Sequence, residues 1–318
     1  MTRVTLRELS PEAYANDVLP LTAETWRDGR DLSTYAAHTL EIACSPYGKK
    51  SYKTLGLFEG RRLVASMKRY ERTFLDGSAR KALGIGAVFT APEFRGRGYA
   101  SHMIASALDG GRAVGFDIAY LFSDIHPAFY AALGFTELPS RSISLRADGL
   151  VAPRVRAVRI EPADWASLRR CFAQPLAQPY MERSPTVWNW IRTRLRQWES
   201  AEGQSVNLAV RRNRSVTAYV FGKRLPKRDA FVLYEYGYAD ENAKAEVLGL
   251  LRAGAGDLRR IVGWLPPRGA REILPRGSVK KRADAILMAA PLTRAGRGLI
   301  ESLARKSSAD ALWSTDHI

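Results

Sequence analysis

The sequence predicts a mixed α/β fold built in two consecutive halves, and three observations carry that expectation. Hydrophobic residues make up 46% and charged residues 25% of a 318-residue chain, a globular balance at a length that favours two cores of ordinary size. Strand-like alternation and helical periodicity interleave without a regular βαβ repeat. The order of elements then restarts after Leu150-Val-Ala-Pro153, where turn formers and a proline follow a finished strand.

In the first half Thr2 to Leu9 alternates as a strand, and Ser10-Pro11-Glu12 opens a helix with an N-cap, a first-turn proline and an early acid. Helices are expected between Glu12 and Ala43. Tyr52 to Phe58 and Arg62 to Phe74 read as strands joined at Glu59-Gly60-Arg61, a hairpin signal. A strand over Lys81 to Thr90 follows, then a helix over Gly98 to Val114 with Met103, Ile104, Ala107 and Leu108 on one face. Asp117 to Phe122 reads as a short buried strand, Pro127 to Leu133 as a short helix, and Phe135 to Arg146 as one final strand.

Beyond the linker, Val155 to Ile160 reads as a strand and Glu161-Pro-Ala-Asp-Trp165 starts a helix much as Ser10-Pro-Glu-Ala-Tyr14 does. Ser184 to Trp198 is helical, Val206 to Arg211 and Ser215 to Phe221 form a hairpin, Phe231 to Tyr238 is a strand and Glu241 to Leu251 a helix. Arg260 to Trp264 is a strand stopped by Pro266-Pro267, and Ala283 to Ala289 reads as the last strand of this half. The expected division is therefore 1–150, 151–292, and a C-terminal helix (Arg294 to Lys306) with its tail over 293–318.

Charge is unevenly shared. Residues 1–150 hold 19 Lys and Arg against 16 Asp and Glu, a net +3, while residues 151–318 hold 30 against 16, a net +14. Such a field attracts polyanions, although solvated arginine faces are the ordinary reading and nucleic acid is not the favoured partner. No run of about 18 apolar residues exists to span a membrane. The first residues lack the apolar core of a signal peptide, so a cytoplasmic location is expected. Cys44 and Cys171 are far apart and outside metal-ligand spacing; two buried free thiols and no metal site are expected. Oligomeric state is not readable, a homo-oligomer included.

Chemistry concentrates after the Lys81 to Thr90 strand. Val88-Phe-Thr-Ala-Pro-Glu-Phe-Arg-Gly-Arg-Gly-Tyr-Ala-Ser places a glycine-rich turn at a helix N-terminus, where unpaired backbone N–H groups and the helix dipole attract an anion such as a diphosphate. Gly96 and Gly98 permit close backbone approach, while Arg95 and Arg97 either supply charge or lock the loop.

Arg95-x-x-Gly98-x-Ala100, preceded by Val88-x-Thr90-Ala-Pro, resembles the central cofactor motif of the GNAT N-acetyltransferase superfamily. Phe129-Tyr130-Ala-Ala-Leu-Gly134-Phe135, about thirty residues on, is similar to that superfamily's second signature. The resemblance implies two GNAT-like domains, each a central, mixed, largely antiparallel sheet flanked by helices. It also implies acetyl-CoA as co-substrate, with Val88, Phe89 and Thr90 facing the pantetheine arm and Arg95, Gly96, Arg97, Gly98, Tyr99, Ala100 and Ser101 around the pyrophosphate. Tyr130, a phenol protonated at neutral pH, would return a proton to the departing thiolate; a packed tyrosine capping its helix is the other reading. The general base is left open among Asp124, His126, Glu24, Asp28 and water, with acids such as Glu24, Asp28 and Asp31 suited to a cationic acceptor.

In the second half the corresponding corner, Glu235 to Leu248, is acidic and has no Arg-x-x-Gly-x-Gly/Ala pattern. Asp240 is expected as an N-cap and this half as lacking a cofactor site. An intact domain followed by a degenerate one resembles the tandem core of the enhanced intracellular survival acetyltransferase family, without its sterol-carrier-like domain. In that family the terminal carboxylate returns to the active site. Here a frayed terminus is the favoured reading; the other is that Trp313 anchors the tail, bringing Asp316, His317 or Ile318 toward the acceptor. Trp188, Ile191, Leu195 and Trp198 follow helical spacing and are expected to be a buried face rather than a base-stacking surface. The favoured function is acetyl transfer from acetyl-CoA to a primary amine of a small molecule or peptide. The alternatives are an aminoacyl-tRNA-dependent transferase and a non-catalytic acetyl-CoA-binding regulatory module.

Overall fold

The computed structural model describes residues 4–27, 29–124, 126–198, 203–305 and 310–318. Thr2, Asp28 and Lys306 lie outside the described residues. After β1 (Val4–Leu9), four helices run as α1 (Pro11–Asp17), α2 (Leu19–Trp26), α3 (Leu32–Cys44) and α4 (Pro46–Ser51). Three are started by side-chain caps: Ser10 accepts from Ala13 N–H at 3.1 Å, Asp31 from Thr34 N–H at 2.8 Å and Ser45 from Gly48 N–H at 3.0 Å.

The chain continues through β2 (Tyr52–Glu59), β3 (Arg62–Asp76), β4 (Ser78–Thr90), α5 (Tyr99–Ala113), β5 (Ile118–Ser123), α6 (Pro127–Ala131), β6 (Thr136–Glu137) and β7 (Arg141–Arg146). It then forms β8 (Val158–Arg159), α7 (Trp165–Ala173), β9 (Tyr180–Met181), α8 (Pro185–Gln197), β10 (Gln204–Arg212), β11 (Ser215–Leu225), β12 (Ala230–Tyr238), α9 (Lys244–Ala255), β13 (Arg260–Trp264), β14 (Ser278–Lys281), β15 (Ile286–Pro291) and α10 (Arg294–Ala304).

Two mixed, mostly antiparallel sheets result, each flanked by helices. The first has the order β1-β2-β3-β4-β5-β15-β6, with β9 added beside β3; the second has β14-β7-β13-β12-β11-β10-β8. Each holds one parallel pair, β4 with β5 and β12 with β13. The sheets exchange strands. β7, from the first half of the sequence, lies between β13 and β14 of the second sheet, and β15, from the second half, lies between β5 and β6 of the first.

The single strand expected over Phe135 to Arg146 is therefore two strands in different sheets. Leu138 N–H still donates to Leu287 C=O at 2.8 Å, but Pro139 has no N–H to extend the ladder, and the chain crosses over at Ser140. The expected Ala283 to Ala289 strand exists as β15 but completes the first sheet rather than the second. Ile286 to Ala290 are all buried, as suits an interior strand.

Part of the seam between the sheets is apolar. One core joins Tyr47, Tyr52 and Tyr70 of the first half to Trp188, Trp190 and Ile191 of α8 and to the second sheet. Trp188, Ile191 and Leu195 are buried as their spacing predicts, and Trp190 stacks on Tyr47 at 5.1 Å. Cys171 is buried but Cys44, the last residue of α3, is exposed, which corrects the expectation for that thiol. Among the described residues, no helix is long and apolar enough to cross a membrane.

Candidate functional site

The site begins where two parallel strands part. β4 and β5 pair from Ala82↔Ile118 to Ile85↔Leu121, yet β4 runs on to Thr90 and β5 to Ser123 without further pairing to each other. The cause is a bulge. β3 meets β4 at Lys68↔Gly86 and then at Ser66↔Phe89, so Met67 opposes two residues, and Ala87 takes φ 47°. The gap lies at the C-terminal ends of these strands, a common place for a ligand in α/β sheets.

At the end of β4, a 3-10 turn over Pro92–Phe94 leads into the glycine turn and α5. Gly96 and Gly98 have φ of 77° and 79°, the left-handed region that favours glycine. A Cβ placed on either meets nothing within 4 Å, so the turn lies open to solvent. Gly98 is the N-cap of α5 and brings no side-chain acceptor, leaving the first N–H groups of a 15-residue helix uncapped by it. Of the two readings of Arg95, its Nε donation to Thr90 C=O at 3.2 Å supports the loop lock. Arg97 is exposed, its guanidinium 5.6 Å from the Phe94 ring centroid. Tyr99 donates to Glu59 Oε1 at 2.8 Å, and Ala100 and Ser101 are half-buried in the first turn. Val88 and Phe89 pack on the first-sheet core, Phe89 with its ring 6.4 Å from Trp26, and Thr90 is half-buried beside them.

Tyr130 lies in α6, half-buried, with its ring edge-on to Phe129 at 5.0 Å and to Phe135 at 6.1 Å. Burial, and secondarily the Asp124 carboxylate, push its phenol above the ordinary value, so it holds its proton more firmly. Asp124 itself accepts from Ala285 N–H at 3.0 Å, tying the end of β5 to the start of β15. His126 is exposed at the N-cap of α6 and makes no side-chain capping bond there. Asp31 is engaged as the cap of α3, which depresses its pKa through Ser33 and Thr34.

The tail is docked, not frayed. Trp313 is buried edge-on to Tyr236 at 4.8 Å. Asp316 accepts from Arg183 Nε at 3.0 Å and from Arg72 Nη2 at 3.2 Å, all three buried. Arg183 reaches Glu235 Oε1 at 3.0 Å and Thr315 Oγ1 at 2.8 Å, and Tyr219 donates to Glu235 at 2.5 Å. Two buried cations thus face two buried carboxylates, joining β3, the segment before α8, β12 and the tail. Arg194 Nη1 bonds the His317 carbonyl. Burial, with Arg194 and Arg282 nearby, pushes the His317 imidazole down to about 3.

Ile318 ends beside the parted strands. A Cβ on Gly84 would meet Ile318 Cδ1 at 2.7 Å, and one on Gly86 would lie 3.6 Å from the Ile318 carbonyl carbon and oxygen. These two glycines escaped the sequence reading, though Gly84-Ile85-Gly86 inside a strand signals close approach by another chain segment. Arg72, Arg183 and Arg194 were missed too, and they carry no local signal. Among the described residues no group of three or more His, Cys, Asp or Glu is placed to hold a metal.

Comparison with known proteins places this geometry. Residues 11–138 match the family model described as the acetyltransferase (GNAT) domain. The sequence has no significant match among curated proteins. A probable N-acyltransferase from Enterococcus faecalis superposes with a TM-score of 0.72 at 15% identity, over 92% of this chain and 73% of that one. A GCN5-related N-acetyltransferase from Anabaena variabilis gives 0.70 at 14%, over 92% and 74%. Eis1 from Mycobacterium abscessus gives 0.62 at 13%, over 91% and 74%. Residues 11–138 are therefore an acetyltransferase domain of the GNAT family, set in a chain whose fold as a whole is that of GNAT acetyltransferases.

Proposed function

We propose that the protein transfers acetyl from acetyl-CoA to a primary amine of a small molecule or peptide, by direct attack with both substrates bound. The observation that carries this reading is the open turn from Arg95 to Gly98, with the start of α5 uncapped, beside the gap between β4 and β5. The turn suits a diphosphate, and the unpaired edge of β4 over Val88 to Thr90 suits an extended amide-bearing arm. Acetyl-CoA, when bound, supplies an activated thioester.

The chain's own groups then manage two protons. Tyr130, kept protonated by burial and by Asp124, hands its proton to the departing thiolate. The Ile318 carboxylate, carried to Gly86 by the docked tail, takes the proton that the attacking ammonium must lose. His126 and Asp124 are the weaker choices for that base: one is exposed at a helix end, and the other already holds the Ala285 N–H. The second half, whose corner is closed by Asp240, shapes and covers the site without a cofactor of its own.

Calorimetric titration with acetyl-CoA, followed by thiol release on an amine panel, tests the reading. Binding followed by amine-dependent thiol release is expected. Failure to bind acetyl-CoA would turn attention to an aminoacyl-tRNA donor, and binding without turnover would point to a sensor.

A further inference from the structure

A cavity of about 370 Å³ opens between the two sheets, and its walls come from both halves. Asp124 and Asp284, from the loops flanking β5 and β15, are exposed carboxylates on its first-sheet side. Trp198, Tyr234 and Trp264, from the end of α8 and from β12 and β13, supply rings on the other. The cavity adjoins the proposed reaction centre at two points. Asp124 is close enough to Tyr130 to raise its phenol, and His317 on the cavity wall precedes Ile318, which lies against Gly84 and Gly86.

The charges around the cavity discriminate among amines. Two carboxylates attract an ammonium, and aromatic rings add cation–π and stacking surface. One lining side chain is a cation, and two guanidinium groups lie against the rings. Lys223 lines the cavity, the Arg194 guanidinium is 4.8 Å from the Trp198 ring and that of Arg282 is 3.6 Å from the Trp264 ring. Two lining carboxylates against the one lining cation, Lys223, match the charge of one ammonium rather than several, and the rings suit a flat apolar body. The volume lies in the range of pockets that enclose one small organic molecule.

We propose, building on the acetyltransferase reading, that this cavity holds the acceptor and that the acceptor is a monocationic arylalkylamine. After loss of one proton its nitrogen bonds to the acetyl carbonyl carbon, the carbon–sulfur bond breaks, and the nitrogen sheds its second proton while the sulfur takes one up and leaves as free CoA. The products are the N-acetyl amide and CoA, with no redox change.

The test is thiol release by the full chain with acetyl-CoA and 2-phenylethylamine, tryptamine, spermidine, kanamycin or a lysine peptide, each in turn. The arylalkylamines are expected to exceed the others at least about tenfold in kcat/KM, the scale of one small pocket group in discrimination. Trp264→Leu and Asp284→Asn should each raise the KM for tryptamine about tenfold and leave the acetyl-CoA dissociation constant unchanged, which also shows that the variants fold. Equal or better turnover of spermidine or kanamycin overturns the assignment, as does an unchanged tryptamine KM in both variants. If acetyl-CoA does not bind at all, the acetyltransferase reading falls first. If acetyl-CoA binds and amines react without preference, only the acceptor assignment falls.

Discussion

The two strand-turn-helix corners of this chain have the same plan and opposite chemistry. β4 leads into α5 beside its parallel partner β5, and β12 leads toward α9 beside its parallel partner β13. In the first corner the N-cap is Gly98, which has no side chain to satisfy the helix N–H groups. In the second, Asp240 accepts from Ala243 N–H at 3.0 Å, and Glu246 is buried against Arg212 and Thr217. One corner presents N–H groups to an incoming anion; the other has already spent its acceptors on itself. The difference teaches that one plan of strand, turn and helix can leave its helix end open to an anion or close it with its own side chain.

Perturbation of each region sharpens the contrast, starting with the largest effect. Tyr130→Phe is expected to lower kcat by about 10²- to 10⁴-fold, the usual reach of a positioned general acid, with acetyl-CoA affinity nearly unchanged; stopped-flow thiol release and calorimetry measure the two. Arg183→Met leaves Glu235 and Asp316 short of their shared cation and should cost about 3–5 kcal/mol of stability, read by urea unfolding. Gly98→Val, at φ 79°, should weaken acetyl-CoA binding about 10- to 100-fold through backbone strain of about 1–3 kcal/mol.

Acid gives an effect of definite sign, spread over a pH window. His317 has a folded pKa of about 3 against an ordinary 6.5. The unfolded chain therefore binds the proton first, and stability is whole above about 6.5 and falls as pH drops toward 3, by at most about 1.4 kcal/mol per unit. Thermal melts across that window should show the slope, and His317→Gln should remove its share. Smallest is Asp240→Ala, expected to cost about 1 kcal/mol as a lost cap while thiol-release kinetics stay as they were. A change in acetyl-CoA affinity there would break the contrast between the corners.

Sequence reading reached what is local. The hairpin at Arg212-Asn213-Arg214 and β13 (Arg260–Trp264) appear where alternation placed them, and the turn from Arg95 to Gly98 was legible because its chemistry sits within a few consecutive residues. Pairing was not legible, since the run over β15 announces a buried strand but not which sheet it enters. The break at Pro139 is one residue within an otherwise extended run, and it decides which sheet receives β7. The Arg72, Arg183, Glu235 and Asp316 cluster brings together residues up to 244 positions apart, a juxtaposition that only tertiary packing creates.

The exchange of β7 and β15 also sets an order of events during synthesis. The interior of the first sheet stays open between β5 and β6 until residue 286 has been made, although the glycine turn was complete by residue 98. At ordinary elongation rates that interval is roughly ten to forty seconds. During it, the nascent first half has an open glycine turn beside an unfilled strand position whose edges can pair with any neighbouring chain.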